Sequence, residues 1–331
     1  IAEISANHNN SFTTIKRLIS SAKKSGTDIV KIQTYTADTL TINSKKKDFK
    51  IKNSNPWSKQ KYLWNLYKKA ETPYKWHNDA FRLAKRKKIN LFSTPFSIKS
   101  LKFLKKFNPP LYKISSFEIT DLKLIYEIAK LKKPILLSTG LANIQEIKTA
   151  VKVINKFHNN VVIMYCVSGY PTPIREMNLK TILSYKKIFS KNLIGLSDHT
   201  NTIDSALASI PFNIVAIEKH YKINNKIISP DSKFSVSSSE MRKLNNLKKD
   251  YFSSLGNEKK DIKTTEKNSL IFRRSLYASQ KIKKGELFTE KNIKSLRPKI
   301  GICASSYFKI LGKKSVRNIK KNQPILNTFV I

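Results

Sequence analysis

Cysteine and glycine are both scarce in this chain of 331 residues, which contains two cysteines and eight glycines. Cys166 and Cys303 lie far apart in the sequence and form neither a metal-binding nor a redox-active spacing. So few cysteines argue against a disulfide-stabilised scaffold and favour a reducing compartment. We therefore expect a cytoplasmic protein.

Long apolar runs are missing as well. No stretch approaches the roughly 18 consecutive apolar residues that a membrane-spanning helix needs, so we expect no membrane partner. Near the start of the sequence, Glu3, Asn7 and His8 interrupt the apolar residues, and no basic segment precedes them. The sequence therefore gives no indication of a signal peptide.

Acidic residues are few, whereas basic residues are abundant: 22 Asp and Glu stand against 64 Lys and Arg, for a formal net charge of +42. A basic protein attracts phosphate-rich partners, nucleic acids among them. The lysines are nevertheless spread along the whole chain, together with abundant Asn and Ile, as AT-rich codons would produce. We favour a solvated basic surface that helps to attract an anionic substrate, and we retain a nucleic-acid-binding protein as the alternative from a different functional class.

Short apolar segments alternate with amphipathic ones over most of the chain. Segments between the strand candidates have helical spacing of apolar residues, and Asn143 is placed to cap one such helix. Eight strands, each followed by a helix, over about 250 residues predict a (β/α)8 TIM barrel of the α/β class. The strand candidates are residues 1–5, 29–33, 90–93, 111–114, 134–137, 161–165, 193–196 and 214–218.

The periodic pattern predicts three regions. Residues 1–255 form the barrel, the charged residues 256–270 form a linker, and residues 271–331 form a small β-rich domain with turns at Gly285 and Gly312. Residues 36–73 are too many for a plain loop, so we expect a packed insertion beside the barrel mouth.

Polar residues recur where the predicted strands end, which is the face at which TIM barrels place their active sites. Lys31 and Lys113 are notable because an uncompensated charge inside an apolar strand is costly. They form either structural ion pairs or a pocket for phosphate and carboxylate groups. The polar residues at the strand ends are Glu3, Lys31, Gln33, Thr94, Lys113, Ser116, Glu118, Ser138, Ser168, Tyr170, Ser197, His199, Glu218 and His220.

Two of the five histidines, His199 and His220, end the adjacent predicted strands seven and eight. Each alone is typical of a structural histidine, but as a pair they favour a catalytic divalent metal with open positions for water and substrate. Glu3, Glu118, Glu218 and Asp231 are candidates for acid–base chemistry or hydroxyl binding, or for compensating the charge of Lys31, Lys113 and the metal.

Several ordered motifs resemble those of the sialic acid (nonulosonic acid) synthase family, and the match spans nearly the whole chain. The tail resembles that family's antifreeze-like (SAF) domain through KKGE (283–286), LRP (296–298) and LGK (311–313). SANHN (5–9), QTYT (33–36), SFE (116–118) and DSKFS (231–235) are most similar to the pseudaminic acid synthase branch. The barrel motifs are IAEISANHN (1–9), VKIQTY (30–35), FSTPF (92–96), YKISSFE (112–118), LSTG (137–140), YPTP (170–173), GLSDHT (195–200) and IEKH (217–220).

The resemblance implies a synthase that condenses phosphoenolpyruvate with 2,4-diacetamido-2,4,6-trideoxy-altrose and water, giving pseudaminic acid and phosphate. N-acetylneuraminate or legionaminic acid synthase is the alternative within the family. His199 and His220 would bind Mn2+ or Mg2+, and Arg297 would reach into a partner subunit's barrel in a domain-swapped homodimer. The implied catalytic residues are Glu3, Lys31, Lys113 and Glu118, and the implied substrate-binding residues are Gln33, Thr94, Ser116, Ser138, Ser168, Tyr170, Ser197, Asp231 and Arg297.

One departure from the family pattern concerns the first loop. Asn10 stands where the family commonly has glycine, so we expect a strained backbone there.

Overall fold

Eight parallel strands close into a barrel within Ile1–Gly256, the first of the two units that make up the computed structural model, which describes residues 1–331. The predicted TIM barrel is confirmed, and each predicted strand overlaps an observed one. Every strand pairs in parallel with its sequence neighbour, and β8 closes on β1. The strands are β1 Ala2–Glu3, β2 Ile29–Thr34, β3 Asn90–Pro95, β4 Tyr112–Ile114, β5 Ile135–Ser138, β6 Val161–Cys166, β7 Leu193–Asp198 and β8 Ile217–His220.

Helices lie between the strands and bury one face each. Asn143 caps α7 as predicted, because its side-chain oxygen accepts a hydrogen bond from the Glu146 amide at 2.9 Å. The longest helix, α10, has 18 residues, and no helix is both long and apolar enough to cross a membrane. The helices of this unit are α1 Phe12–Lys24, α2 Ala37–Leu40, α3 Leu63–Ala70, α4 Tyr74–Arg86, α5 Ile98–Leu104, α6 Leu122–Ala129, α7 Ile144–Asn155, α8 Thr181–Ile188, α9 Asp204–Ala208 and α10 Ser238–Leu255.

The interior of the barrel is filled at one end by the buried side chains of Phe92, Leu136 and Met164. Gly195 leaves room for this plug, since a Cβ there would lie 2.4 Å from the Met164 sulfur. The apolar residues packed against these three side chains lie within one residue of the starts of their strands, so functional groups gather at the opposite end of the barrel. These residues are Ile1, Ile29, Leu111, Val162 and Ala216.

The loop after β1 departs from ordinary backbone geometry. Asn9 and Asn10 have φ of 46° and 52°, in the left-handed region. The strained backbone expected at Asn10 is therefore present, and asparagine is among the non-glycine residues that best tolerate it.

The second unit, Asn257–Ile331, contains an antiparallel pair of strands, β9 Ser275–Ala278 and β10 Ile293–Leu296, together with the short helices α11 Thr264–Lys267 and α12 Tyr307–Ile310. Its own apolar core includes Leu276, Ile282, Phe288, Ile319 and Ile325. The two predicted turn glycines, Gly285 and Gly312, have φ of 83° and 80°.

Candidate active site

A cavity of about 340 Å³ lies at the carboxyl ends of the barrel strands. Four predicted site residues do not line it: Glu3, Thr94 and Ser168 lie behind or beside lining residues, and Arg297 is an exposed residue after β10 of the second unit. The predicted site residues that line the cavity are Lys31, Gln33, Lys113, Ser116, Glu118, Ser138, Tyr170, Ser197, His199, His220 and Asp231.

Glu218 joins the two buried lysines at the cavity floor. Its carboxylate lies 2.8 Å from Lys113 Nζ and 3.3 Å from Lys31 Nζ, and all three side chains are almost fully buried. Burial alone would raise the pKa of Glu218, but the two ammonium groups hold that pKa well below its usual range. Both interpretations of the lysines are therefore compatible with the geometry, because they form ion pairs and also face the cavity.

Glu3 lies behind Lys31. Its Oε2 is 2.5 Å from Lys31 Nζ, and its other carboxylate oxygen has no hydrogen-bond partner. Burial outweighs the attraction of Lys31 and raises the pKa of Glu3 to about 7. Thr94 accepts a hydrogen bond from Lys31 Nζ at 3.4 Å, so Glu3 and Thr94 hold the lysine that faces the cavity.

Serine hydroxyls form another part of the floor. Ser116 Oγ accepts a hydrogen bond from the Gly140 amide at 3.0 Å. A Cβ at Gly140 would collide with the hydroxyls of Ser116 and Ser168, so glycine allows this close approach. The buried hydroxyl of Ser138 has no partner within the protein and lines the cavity, which leaves it available to a ligand oxygen.

His199 and His220 face each other with ring centroids 5.3 Å apart. His199 Nδ1 lies 2.9 Å from the Val167 carbonyl and donates to it, which leaves Nε2 as the free nitrogen. His220 Nδ1 is buried without a hydrogen-bond partner, 3.8 Å from Asp231 Oδ2. Burial, with the nearby positive charges, lowers the pKa of His220, so its imidazole is neutral and able to ligate a metal.

The pair fits an open metal site rather than a closed one. No group of three or more His, Cys, Asp and Glu side chains is arranged around a common point. The unpartnered buried nitrogen of His220 and the free Nε2 of His199 suit a divalent cation whose remaining ligands are water and substrate oxygens.

Glu118 and Asp231 flank the cavity from two loops. Burial raises the pKa of Glu118 to about 7, and its carboxylate accepts a hydrogen bond from Ser115. Asp231 accepts a hydrogen bond from the Ala6 amide at 3.1 Å. Both carboxyl groups are therefore held in place by groups within their own or an adjacent loop.

Asn7 was not among the predicted site residues, yet it joins the loops after β1 and β8. Its amide nitrogen donates to the Tyr221 carbonyl at 3.0 Å and to Ser235 Oγ at 2.8 Å, and its oxygen accepts from Ser229. These bonds hold the segment that carries Asp231. The sequence places Asn7 at a strand end, but nothing in it indicates these three partners.

A cluster of aromatic side chains covers the histidine pair. The Tyr170 ring lies 4.4 Å from the His199 ring, and the Phe234 ring lies 4.8 Å from the His220 ring. Trp57, from the predicted insertion, is 5.3 Å from Tyr170. Phe234 was not predicted as a site residue, although it lies within the DSKFS motif.

Comparisons with known protein families and proteins give matches that together cover almost the whole chain. The model of the NeuB family matches residues 18–260, and that of the SAF domain matches residues 273–330. Pseudaminic acid synthase of Campylobacter jejuni is 43% identical over 97% of this chain and 93% of its own length. N,N'-diacetyllegionaminic acid synthase of the same organism is 36% identical, over 98% of each chain. The crystal structure of N-acetylneuraminic acid (sialic acid) synthetase from Leptospira borgpetersenii superposes with a TM-score of 0.72 at 27% identity, covering 81% of this chain and 88% of that one.

Proposed function

Because this chain belongs to the NeuB family, we propose that it is a pseudaminic acid synthase. It condenses phosphoenolpyruvate with 2,4-diacetamido-2,4,6-trideoxy-altrose and water, and it releases phosphate. The observation that carries the proposal is the convergence of Lys31 and Lys113 on the same cavity as His199 and His220. One site thus offers cationic groups for an anionic substrate beside a histidine pair for a metal.

The lysines bind the phosphate and carboxylate of phosphoenolpyruvate. Glu218 holds them in place before the substrate arrives, so little reorganisation accompanies binding. The hydroxyls of Ser116, Ser138 and Ser197 and the side chain of Gln33 complete the polar floor, and Thr94 and Ser168 lie next to it. Ser138 has the clearest role, because its buried hydroxyl lacks a partner within the protein.

His199 and His220 would hold a divalent cation, Mn2+ or Mg2+, which as a Lewis acid would polarise the sugar aldehyde when bound. The Val167 carbonyl orients His199 through Nδ1. Tyr170 covers the pair and limits the access of water. We expect His199→Ala to abolish activity and to weaken Mn2+ binding in a direct titration while the fold persists.

The carbon–carbon bond forms when C3 of phosphoenolpyruvate attacks the aldehyde carbon of the open-chain sugar. Water then adds at C2, and the tetrahedral intermediate loses phosphate by cleavage of its C2–O bond. Glu118, which lines the cavity, and Glu3, which acts through Lys31, are the proton-transfer groups. Both have a pKa raised to about 7 by burial, close to the range in which a carboxyl group exchanges protons efficiently. Asp231 and Tyr170 bind the sugar.

Arg297 reaches into the barrel of a partner subunit in a domain-swapped homodimer. This part of the proposal is supported by the LRP motif within the SAF domain. A guanidinium group provides a planar fork of hydrogen-bond donors that suits carboxylate and hydroxyl oxygens of a bound substrate.

The test is phosphate release from phosphoenolpyruvate with Mn2+, and with EDTA as control, across three sugars: the trideoxy-altrose, N-acetylmannosamine and the legionaminic acid precursor. Metal-dependent release with the trideoxy-altrose alone supports the proposal. Preference for either other sugar overturns the substrate assignment but retains the reaction class. No release with any sugar from folded protein overturns the function.

A further inference from the structure

We propose that the segment of residues 36–73 determines sugar selectivity by presenting an apolar wall to the methyl groups of the substrate. The wall selects a deoxygenated, N-acetylated sugar over a more hydroxylated one. This inference rests on the proposed function, because it takes an amino sugar as the second substrate.

The cavity has two chemically different sides. The strand ends contribute charged and hydroxyl groups to its floor, as described above. The segment of residues 36–73 contributes mostly apolar side chains, which we call the insertion wall. The wall consists of Leu40, Ile51, Trp57, Leu63, Leu66 and Tyr67.

Hydrogen bonds hold the insertion wall in position. The Trp57 indole donates to the Pro230 carbonyl at 2.9 Å, which joins the wall to the loop after β8. Glu71 accepts from the Ala37 amide at 2.9 Å, so the residue after α3 is tied to the start of α2. A wall held in this way is organised before the ligand binds, as a selective site requires.

Part of the wall is a packed core, and part is available to a ligand. Ile51 and Leu66 are buried, with 6% and 7% of their surface exposed. Leu40 and Leu63 remain partly exposed, and both line the cavity. These two leucines therefore have apolar surface that packing within the protein does not cover, and a bound apolar group would cover it.

The proposed sugar carries three methyl groups, one at C6 and one in each acetamido group. N-acetylmannosamine has hydroxyls at C4 and C6 and a single acetyl methyl. Loss of one apolar group from a hydrophobic pocket costs roughly 10–200-fold in kcat/KM. A hydroxyl placed against Leu40 or Leu63 would lose its hydrogen bonds to water without gaining a partner from these side chains.

The test measures kcat/KM for the trideoxy-altrose and for N-acetylmannosamine, the KM for phosphoenolpyruvate, and the Tm, in Leu63→Gln and Leu40→Gln. Ile42→Gln is the matched control, because Ile42 lies in the same segment, is 69% exposed and does not line the cavity. We expect Leu63→Gln and Leu40→Gln each to lower kcat/KM for the trideoxy-altrose by roughly 10–200-fold. The ratio of kcat/KM for the trideoxy-altrose to kcat/KM for N-acetylmannosamine should therefore decrease. The KM for phosphoenolpyruvate stays unchanged, and Ile42→Gln behaves as the wild type.

Wild-type and variant measurements decide separate questions. If the wild-type protein does not turn over the trideoxy-altrose, both the proposed function and the proposed role of the insertion wall are wrong. Active wild-type protein with an unchanged sugar ratio in the variants overturns the wall alone. Equal losses for both sugars also overturn it, since they indicate a structural role. Leu63→Ala, which removes apolar contact without adding a polar group, replaces Leu63→Gln if that variant does not fold.

Discussion

Two ion pairs of the barrel, Lys219–Asp198 and Lys113–Glu218, are both buried. They differ in how many hydrogen-bond donors of the lysine remain unpaired. Lys219 Nζ donates to the Thr200 carbonyl at 2.7 Å and to its hydroxyl at 3.1 Å, and it lies 3.1 Å from Asp198 Oδ2. Lys113 Nζ has one hydrogen-bonding partner, Glu218, at 2.8 Å. An ammonium group has three donors, so Lys219 is satisfied whereas Lys113 has two donors left for a ligand.

The difference follows from the alternation of side chains along a strand. Neighbours on a β-strand point to opposite faces, so Glu218 and His220 face the barrel interior while Lys219 points away from it. The same alternation separates His199 and Ser197 from Asp198. A buried lysine on this barrel is therefore a candidate for binding substrate only where its ammonium group faces the cavity and keeps unpaired donors.

The largest expected effect on activity comes from replacing Lys113, whose ammonium group keeps unpaired donors. Lys113→Ala should lower phosphate release by roughly 10²–10³-fold, because it removes a preorganised cation from the anion site. The fold should persist, since Glu218 keeps Lys31 as a partner. Steady-state kinetics and thermal unfolding measure the two effects. Turnover near the wild-type rate would remove Lys113 from the anion site.

Lys219→Met tests the satisfied lysine. The change leaves Asp198 with an uncompensated buried charge, which typically costs about 3–5 kcal/mol of unfolding free energy. Substrate KM values should stay within about twofold of the wild type, because Lys219 does not line the cavity. Chemical denaturation and kinetics on the folded fraction provide the comparison. A specific loss of substrate affinity without lost stability would contradict the distinction between the two lysines.

His77 extends the comparison to a buried group that stays neutral. It lies on α4, with Nε2 2.7 Å from Thr34 Oγ1, and burial lowers its pKa to about 4. The unfolded chain takes up a proton near pH 6.5 and the folded protein does not, so stability falls between about pH 6.5 and 4. His77→Leu should flatten this fall by up to about 3 kcal/mol.

The measurement for His77 is the unfolding free energy at several pH values. Some slope should remain in the variant, because burial also lowers the pKa of His8 to about 4. An unchanged pH profile in His77→Leu would show that the buried imidazole does not determine acid stability.

The barrel and most of the polar floor were predictable, because the topology alone brings eight strand ends together. The apolar segments predicted as β7 and β8 stop at residues 196 and 218, whereas the observed strands continue to Asp198 and His220. The apolar pattern stops where the strand enters the site, but the backbone ladder continues. The predicted segments therefore omitted Ser197 and Asp198, which precede His199, and also Lys219 and His220.

The insertion was predictable as a packed segment but not as an apolar wall. Its two short helices carry no long periodic pattern, so the positions of Leu40 and Leu63 follow from tertiary contacts alone. The position of Glu3 was likewise not predictable in full. Its place at a strand end does not reveal that it pairs with Lys31 and that Lys31, rather than Glu3, lines the cavity.

Arg297→Ala has the smallest expected effect and tests whether the set of cavity residues extends to a second subunit. We expect the sugar KM to rise by about tenfold, as the loss of a charge-assisted hydrogen bond would produce, with little change for phosphoenolpyruvate. Arg273→Ala, a neighbouring exposed arginine of the same unit, is the control. An unchanged sugar KM would exclude Arg297 from the site.

Mixing two defective variants decides whether Arg297 acts across a dimer interface. A heterodimer of Lys113→Ala and Arg297→Ala has one barrel with an intact Lys113, and that barrel would receive Arg297 from the other subunit. Action in trans therefore predicts that mixing after subunit exchange restores a normal sugar KM in one site per heterodimer. Action in cis predicts no recovery, because every site then lacks one of the two residues. Recovery would establish the domain-swapped arrangement, whereas its absence in a verified heterodimer would limit the site to one chain.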